Sequence, residues 1–106
     1  MSSVKLENVT VEAKANIYFN GKVVSHSVYE KDGRKKTIGL IYPGTYSFST
    51  GAPERMVMTS GRCRVKLKGS EEWSRYEAGQ EFPVPGNSSF EISVEEGIAE
   101  YLCIFE

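Results

Sequence analysis

The most constraining feature of this sequence is a two-residue alternation of apolar and polar side chains that recurs along its length. It is clearest in residues 9–13, 46–50, 63–67 and 90–94. This is the period of a strand with one buried face, and no stretch keeps a helical period for long. Turn residues such as Asn20-Gly21, Asp32-Gly33 and Pro85-Gly86 separate the runs. The pattern therefore predicts an all-β sandwich or barrel.

Size and charge restrict the class of protein further. The chain has 106 residues, which suits a single domain, and 13 basic and 14 acidic side chains give a formal net charge of -1. Such a balance creates no overall field to attract nucleic acid or an anionic membrane. No apolar run approaches the ~20 residues that cross a bilayer, and the N-terminus lacks a hydrophobic secretion core. We therefore expect a cytoplasmic protein whose Cys63 and Cys103 are free, buried thiols.

Two segments suggest how the domain contacts its surroundings. Residues 101–105 are apolar on both faces of a predicted strand, so one face would line the interior and the other would pack on a second subunit. A homodimer is therefore expected. Residues 1–14 are interpreted as an N-terminal extension that could add an edge strand or cross to a neighbour, with the barrel domain spanning residues 15–106.

Residues 43–61 and 79–86 resemble, in spacing, the two motifs of cupin barrels. This resemblance implies a single cupin-type β-barrel, that is, a double-stranded β-helix or jelly roll. Metal cupins carry two histidines before the glutamate of the first motif and a histidine at the end of the second. Here residues 47–50 supply hydroxyls and one phenyl ring, and Phe90 occupies the second position. Glu54 is then the one inherited ligand, so no metal and no other cofactor is expected.

Several short blocks between about Tyr18 and Phe105 identify the chain as resembling the pyrimidine/purine nucleoside phosphorylase family. These blocks are Tyr18-Phe19-Asn20-Gly21-Lys22-Val23, Tyr46-Ser47-Phe48-Ser49-Thr50, Pro53-Glu54 with Met56, Ser60-Gly61, Trp73, Tyr76-Glu77-Ala78-Gly79, Phe82, Val84-Pro85-Gly86, Ser88, Phe90 and Tyr101-Leu102-Cys103. The resemblance implies a pentosyltransferase of broad specificity. Such an enzyme cleaves purine and pyrimidine nucleosides with inorganic phosphate, releases free base and ribose 1-phosphate, and forms a homodimer.

A phosphate site needs cations assisted by hydroxyls or backbone amides. Lys22 follows the first Asn-Gly turn, within a block that matches the family, and Arg34 and Lys35 follow the Asp-Gly turn. Ser49 and Thr50 could supply the hydroxyls. We predict phosphate binding by these five residues and a catalytic role for Lys22. The competing interpretation is that the cations are ordinary solvated turn residues.

Glu54 is the second predicted catalytic residue. Without histidine partners, its carboxylate could hold the ribose hydroxyls and stabilise an oxocarbenium-like sugar in the transition state. The alternative is a structural salt bridge.

Four aromatic residues offer faces on which a base could stack, and stacking tolerates any base. Tyr18, Phe19, Phe90 and Tyr101, together with the hydroxyl of Ser88, are predicted to bind the nucleoside. The competing interpretation is that each ring belongs to the core, which is the more common role of an aromatic residue facing into a barrel.

Two other functions are weighed against phosphorolysis. A metal-dependent cupin oxygenase or isomerase is disfavoured, because His26 is the chain's single histidine and is expected at the surface. A non-catalytic cupin that binds a nucleotide or sugar phosphate would have the same cations, hydroxyls and rings. Turnover alone separates it from the enzyme.

Overall fold

The computed structural model describes residues 4–106, which form eleven strands and one short 3-10 turn. In chain order these elements are β1 Thr10–Val11, β2 Asn16–Tyr18, the 3-10 turn Phe19–Gly21, β3 Val23–Tyr29, β4 Lys35–Ile41, β5 Gly44–Ser49, β6 Glu54–Ser60, β7 Arg62–Leu67, β8 Ser74–Glu77, β9 Glu81–Val84, β10 Ser89–Val94 and β11 Ala99–Phe105. The predicted all-β class is confirmed. No helix in the described part of the chain is long and apolar enough to span a membrane.

The strands form two sheets, and all of the strand pairs are antiparallel. The larger has the order β1-β3-β4-β11-β6-β9, with β2 also pairing with β3, and the smaller has the order β5-β10-β7-β8. Within residues 4–106, each sheet ends in edge strands that pair on one side only, so neither sheet closes on itself. Short connections of one to four residues carry the chain from one sheet to the other. Strands distant in sequence therefore become neighbours, for example β11 between β4 and β6.

The core lies between the two sheets. The larger sheet contributes Val23, Ile41 and Met58, and the smaller contributes Val65 and Ile92, all at most 3% exposed. Their alternation along each strand is the reason the sequence pattern could be read as strands with one buried face.

Strand β7 shows both faces of this alternation. Its apolar residues Cys63 and Val65 are buried in the core, whereas the cations that alternate with them face outward. Arg62 pairs with Glu96 at 2.7 Å, and Lys66 pairs with Glu91 at 3.3 Å.

The N-terminal segment lies against the outer face of the larger sheet. Val11 pairs with Val28, and the Glu12 amide donates to the Ser27 carbonyl at 2.9 Å, so β1 extends the edge at β3. Residues of this segment line one groove together with Leu102 of β11. Exposed apolar side chains persist beside it, with Val11 50% and Ile38 39% exposed.

Candidate active site

A cavity of about 360 Å³ opens between the two sheets, within the ~300–1,000 Å³ range typical of ligand pockets. Strands β2, β3, β4, β6 and β11 form its wall on one side, and β5 and β10 form the other. Inward-facing residues of each strand reach it because alternate side chains point to the same face. Six predicted site residues line this cavity: Tyr18, Lys35, Ser49, Glu54, Phe90 and Tyr101.

Glu54 begins β6 and is partly buried in this cavity. Burial raises the pKa of its carboxyl group above the ordinary value, while a hydrogen bond from Cys103 opposes the rise. The Cys103 Sγ lies 3.5 Å from Glu54 Oε1. Within residues 4–106, Glu54 makes no salt bridge. The alternative interpretation of Glu54, a structural salt bridge, therefore has no ion pair to support it in this part of the chain.

Lys35 is the cation of the cavity lining. It begins β4, is exposed at the mouth, and its Nζ lies 5.6 Å from the centre of the Phe105 ring. Phe105 is paired with Glu54 in the register of β11 and β6, so cation and carboxylate lie at the same end of the sheet. The Lys35 charge favours the Cys103 thiolate, but burial and the Glu54 charge dominate and raise the pKa of that thiol.

An aromatic patch forms part of the opposite wall. The Phe48 and Phe90 rings stack with centroids 5.8 Å apart, and Tyr18 meets Phe48 edge-on at 5.9 Å. Phe90 is 5% exposed and Tyr18 is 45% exposed, so the patch runs from the core to the opening. Its buried end is packed in the core, and its exposed end offers a face on which a planar ligand could stack.

A neutral hydrogen-bonded group lies deeper in the cavity. The Asn16 side-chain amide donates to Ser25 Oγ at 3.3 Å and to Ser27 Oγ at 3.2 Å. Ser25 and Tyr101 both line the cavity, and burial raises the pKa of Tyr101 to about 12. Gly39 lies between them in the register and leaves space for the Tyr101 ring.

The other predicted residues lie outside the cavity lining. Lys22 is exposed just after the 3-10 turn, and its carbonyl accepts from the Tyr42 amide at 2.8 Å. Arg34 is bonded to Asp32, with Nε 2.8 Å from Oδ2. Phe19 is exposed and has the unusual φ of +52°. Its ring packs on those of Tyr46 and Phe48.

Thr50 and Ser88 join two loops at the rim. Thr50 Oγ1 donates to the Pro85 carbonyl at 2.7 Å and accepts from the Ser88 amide at 3.0 Å. The Thr50 amide also donates to the Ser88 carbonyl at 2.9 Å. The Thr50 hydroxyl is therefore used within the protein.

Sequence reasoning missed several lining residues. Asn16, Ser25 and Thr37 carry neutral side chains that lacked a distinctive motif, and Cys103 and Phe105 were interpreted only as apolar strand residues. The strand period offered a signal for the last two, because residues 101, 103 and 105 share one face of β11.

In the described part of the chain, few side chains that could bind a metal ion lie near Glu54. Cys103 is the neighbouring potential metal ligand, and His26 lies on the other side of the sheet, with Nδ1 3.1 Å from the Glu12 carbonyl oxygen. Across residues 4–106, no three His, Cys, Asp or Glu side chains are grouped so as to hold a metal ion.

Comparisons with known proteins agree on one family. The family model described as "Pyrimidine/purine nucleoside phosphorylase" matches residues 13–105. A relative from Cupriavidus pinatubonensis named "Pyrimidine/purine nucleoside phosphorylase" is 54% identical over 105 residues, which is 99% of each chain.

Solved structures agree with the fold. A protein of unknown function (DUF1255) from Acinetobacter sp. ADP1 has a TM-score of 0.93 at 46% identity, covering 96% of this chain and 98% of that one. An oxalate decarboxylase from Bacillus subtilis has a TM-score of 0.76 at 16% identity, covering 99% of this chain and 30% of that one, and shows a likeness of fold alone. The chain belongs to the pyrimidine/purine nucleoside phosphorylase family.

Proposed function

We propose that the chain is a nucleoside phosphorylase that cleaves purine and pyrimidine nucleosides with inorganic phosphate and needs no metal ion. The observation that carries this proposal is that one cavity has both an acidic and a basic group at the same end. The partly buried carboxylate is Glu54, and the exposed cation is Lys35. An aromatic patch completes the set. These are the groups that an oxocarbenium-like sugar, a phosphate and a base require.

In the proposed reaction, the bond between C1′ and the base nitrogen breaks and its electron pair stays with the base. A phosphate oxygen forms the new bond to C1′, giving ribose 1-phosphate, and the leaving base takes up the proton that hydrogen phosphate loses. Glu54 stabilises the positive charge that develops on the sugar between these events. Because Glu54 has no cationic partner in residues 4–106, its charge is available to the substrate.

Lys35 binds phosphate at the cavity mouth, and Ser49 supplies a predicted serine hydroxyl from the same lining. Lys22 and Arg34 stay predictions for phosphate binding or catalysis that would require movement of their exposed side chains toward the mouth. Thr50, Ser88 and Phe19 stay predictions in the same sense, since they lie around the lining. Tyr18, Phe90 and Tyr101 bind the nucleoside.

The finer architecture is also proposed. Residues 15–106 form a cupin-type barrel of two facing sheets, and the fold likeness to an oxalate decarboxylase supports this assignment. Two copies associate in the cytoplasm through the outer face of the larger sheet. The exposed apolar residues Val4, Val11 and Ile38, which line a groove of about 510 Å³ there, support that interface.

The test is release of free base from uridine, inosine and adenosine by purified protein, with and without phosphate and with a chelator. We expect release that depends on phosphate and survives the chelator. Binding of nucleoside without release under any condition would instead favour a non-catalytic binding cupin, which the same cavity would also suit.

A further inference from the structure

We propose that the Tyr101 hydroxyl donates a hydrogen bond to the acceptor that purine and pyrimidine bases share beside the glycosidic nitrogen. That acceptor is O2 in a pyrimidine and N3 in a purine. This inference rests on the proposed function and adds to it the contact that lets one cavity accept both classes of base.

The first support is the gradient of exposure along the cavity. Ser25, Phe90 and Tyr101 are 3%, 5% and 9% exposed, whereas Lys35 lies at the exposed mouth and Glu54 is partly buried. The deep part is neutral and aromatic, and the outer part is charged. A nucleoside that gives its sugar to Glu54 and leaves the mouth for phosphate must therefore enter with the base first.

The second support is that the protein fixes the position of the Tyr101 ring. A Cβ at Gly39 would lie 2.8 Å from both Cζ and Oη of Tyr101, and 2.6 Å from the Val24 carbonyl oxygen. Glycine is thus required for the ring to lie across β4. This close approach places the hydroxyl over β4, where Gly39 is paired with Tyr101 of β11 on one side and with Ser25 of β3 on the other.

The third support is that the groups around Tyr101 in the deep part of the cavity are neutral and polar. The Asn16 amide Nδ2 donates to Ser25 Oγ at 3.3 Å, and Ser25 and Tyr101 both line the cavity. A protonated tyrosine hydroxyl carries one donor, which Tyr101 can offer to an acceptor on the ligand.

The chemistry of the bases supplies that acceptor. Pyrimidine O2 and purine N3 are the acceptors that occupy matching positions in the minor groove of DNA, since both lie next to the glycosidic bond. Negative charge develops there as the base leaves, so a hydrogen bond strengthens in the transition state. With a pKa of about 12, Tyr101 keeps its proton and acts as a hydrogen-bond donor.

Analogues that lack one ring nitrogen test the contact directly. We would measure kcat/KM for adenosine, 3-deazaadenosine, which lacks the acceptor, and 7-deazaadenosine, which retains it, with wild type and Tyr101→Phe. The two deaza compounds differ in intrinsic reactivity, but that difference cancels when their ratio is compared between the two proteins. Thermal unfolding checks that Tyr101→Phe is folded.

We expect the ratio of 7-deaza to 3-deaza activity to fall about 10-fold in Tyr101→Phe, because one hydrogen bond is lost for the former substrate alone. Ser25→Ala should lower the same ratio by a smaller factor, and serves if the first variant does not fold. An unchanged ratio in the folded variant overturns the inference. Absence of turnover of uridine, inosine and adenosine by wild type would instead overturn the proposed function.

Discussion

The thiol of Cys103 lies 3.5 Å from Oε1 of Glu54, at a point where two neighbouring strands face the same cavity. A thiol is a weak donor, yet within residues 4–106 it is the side-chain hydrogen-bond partner that the carboxylate has. It lowers the pKa of Glu54, while burial, the larger effect, raises it. Cys103 therefore helps keep Glu54 ionised.

Replacing Cys103 should shift the pH dependence of activity. In Cys103→Ala the opposing hydrogen bond is lost, so the pKa of Glu54 rises further. As the pH is lowered, Glu54 then becomes protonated earlier, and activity should be lost at a higher pH than in wild type. Cys103→Ser keeps a donor and should stay near the wild-type profile. The measurement is kcat/KM for uridine between pH 4 and 9, and identical acid limbs in all three proteins would refute this role.

Glu54→Gln should reduce kcat about 100-fold, a typical loss when one electrostatic contact to the transition state is removed. The amide has the same shape but cannot stabilise a cationic sugar. Glu81→Gln is the matched control, because Glu81 pairs with Arg55 at 3.1 Å on the outer face. Steady-state rates with inosine would test this, and comparable loss in both variants would contradict the assignment.

The same substitution should stabilise the fold at neutral pH. The pKa of Glu54 is raised in the folded protein, so its ionised form is destabilising above that folded value, and the penalty disappears below the pKa of the unfolded chain. We expect Glu54→Gln to unfold a few degrees higher than wild type at pH 8, with the gap closing toward pH 4. Thermal unfolding across this range measures it; a variant less stable at pH 8 would argue against an uncompensated carboxylate.

Lys35→Ala should raise the KM for phosphate about 10-fold and leave the KM for nucleoside nearly unchanged, because the ammonium group contacts the anion. Lys22→Ala provides the comparison, since Lys22 is an exposed lysine outside the cavity lining. We expect the larger effect at Lys35. The reverse order would transfer the phosphate site to Lys22.

Ile38→Glu should weaken association of the proposed dimer about 10-fold or more, because it places a charge on the exposed apolar face of the larger sheet. Ile98→Glu is a suitable control: Ile98 is 43% exposed but lies in the connection between β10 and β11 and is not part of the groove lining. Sedimentation velocity over a range of concentrations distinguishes the two. A dimer equally stable in both variants would exclude this face.

Much of the fold could be predicted because each strand carries its own signal. Residues 46–50, 63–67 and 90–94 alternate, and the structure confirms strands there as β5, β7 and β10. The N-terminal alternation was longer than the strand it marks, since only Thr10 and Val11 pair as β1. Pairing partners such as Tyr101 with Gly39 depend on contacts between distant segments, which local patterns do not encode.

The site was predictable where a residue type is chemically distinctive. Glu54, Lys35 and Phe90 were identified as candidates and line the cavity. Neutral residues such as Asn16 and Ser25 acquire importance only through their neighbours, so sequence alone gave them no weight. Conversely, Thr50 has a suggestive hydroxyl, but its hydrogen bonds across the rim are visible only in the folded chain.

Phosphorolysis is tested most directly by following the sugar that the reaction releases. Purified protein is incubated with uridine and with inosine in phosphate and in phosphate-free buffer, both containing a chelator, and ³¹P NMR detects sugar phosphate while chromatography detects free base. We expect ribose 1-phosphate to form in the same amount as the free base, and in phosphate buffer only. In Glu54→Gln we expect both products to form about 100-fold more slowly. Free base released at the same rate without phosphate, or no release by wild type, would contradict phosphorolysis in this cavity.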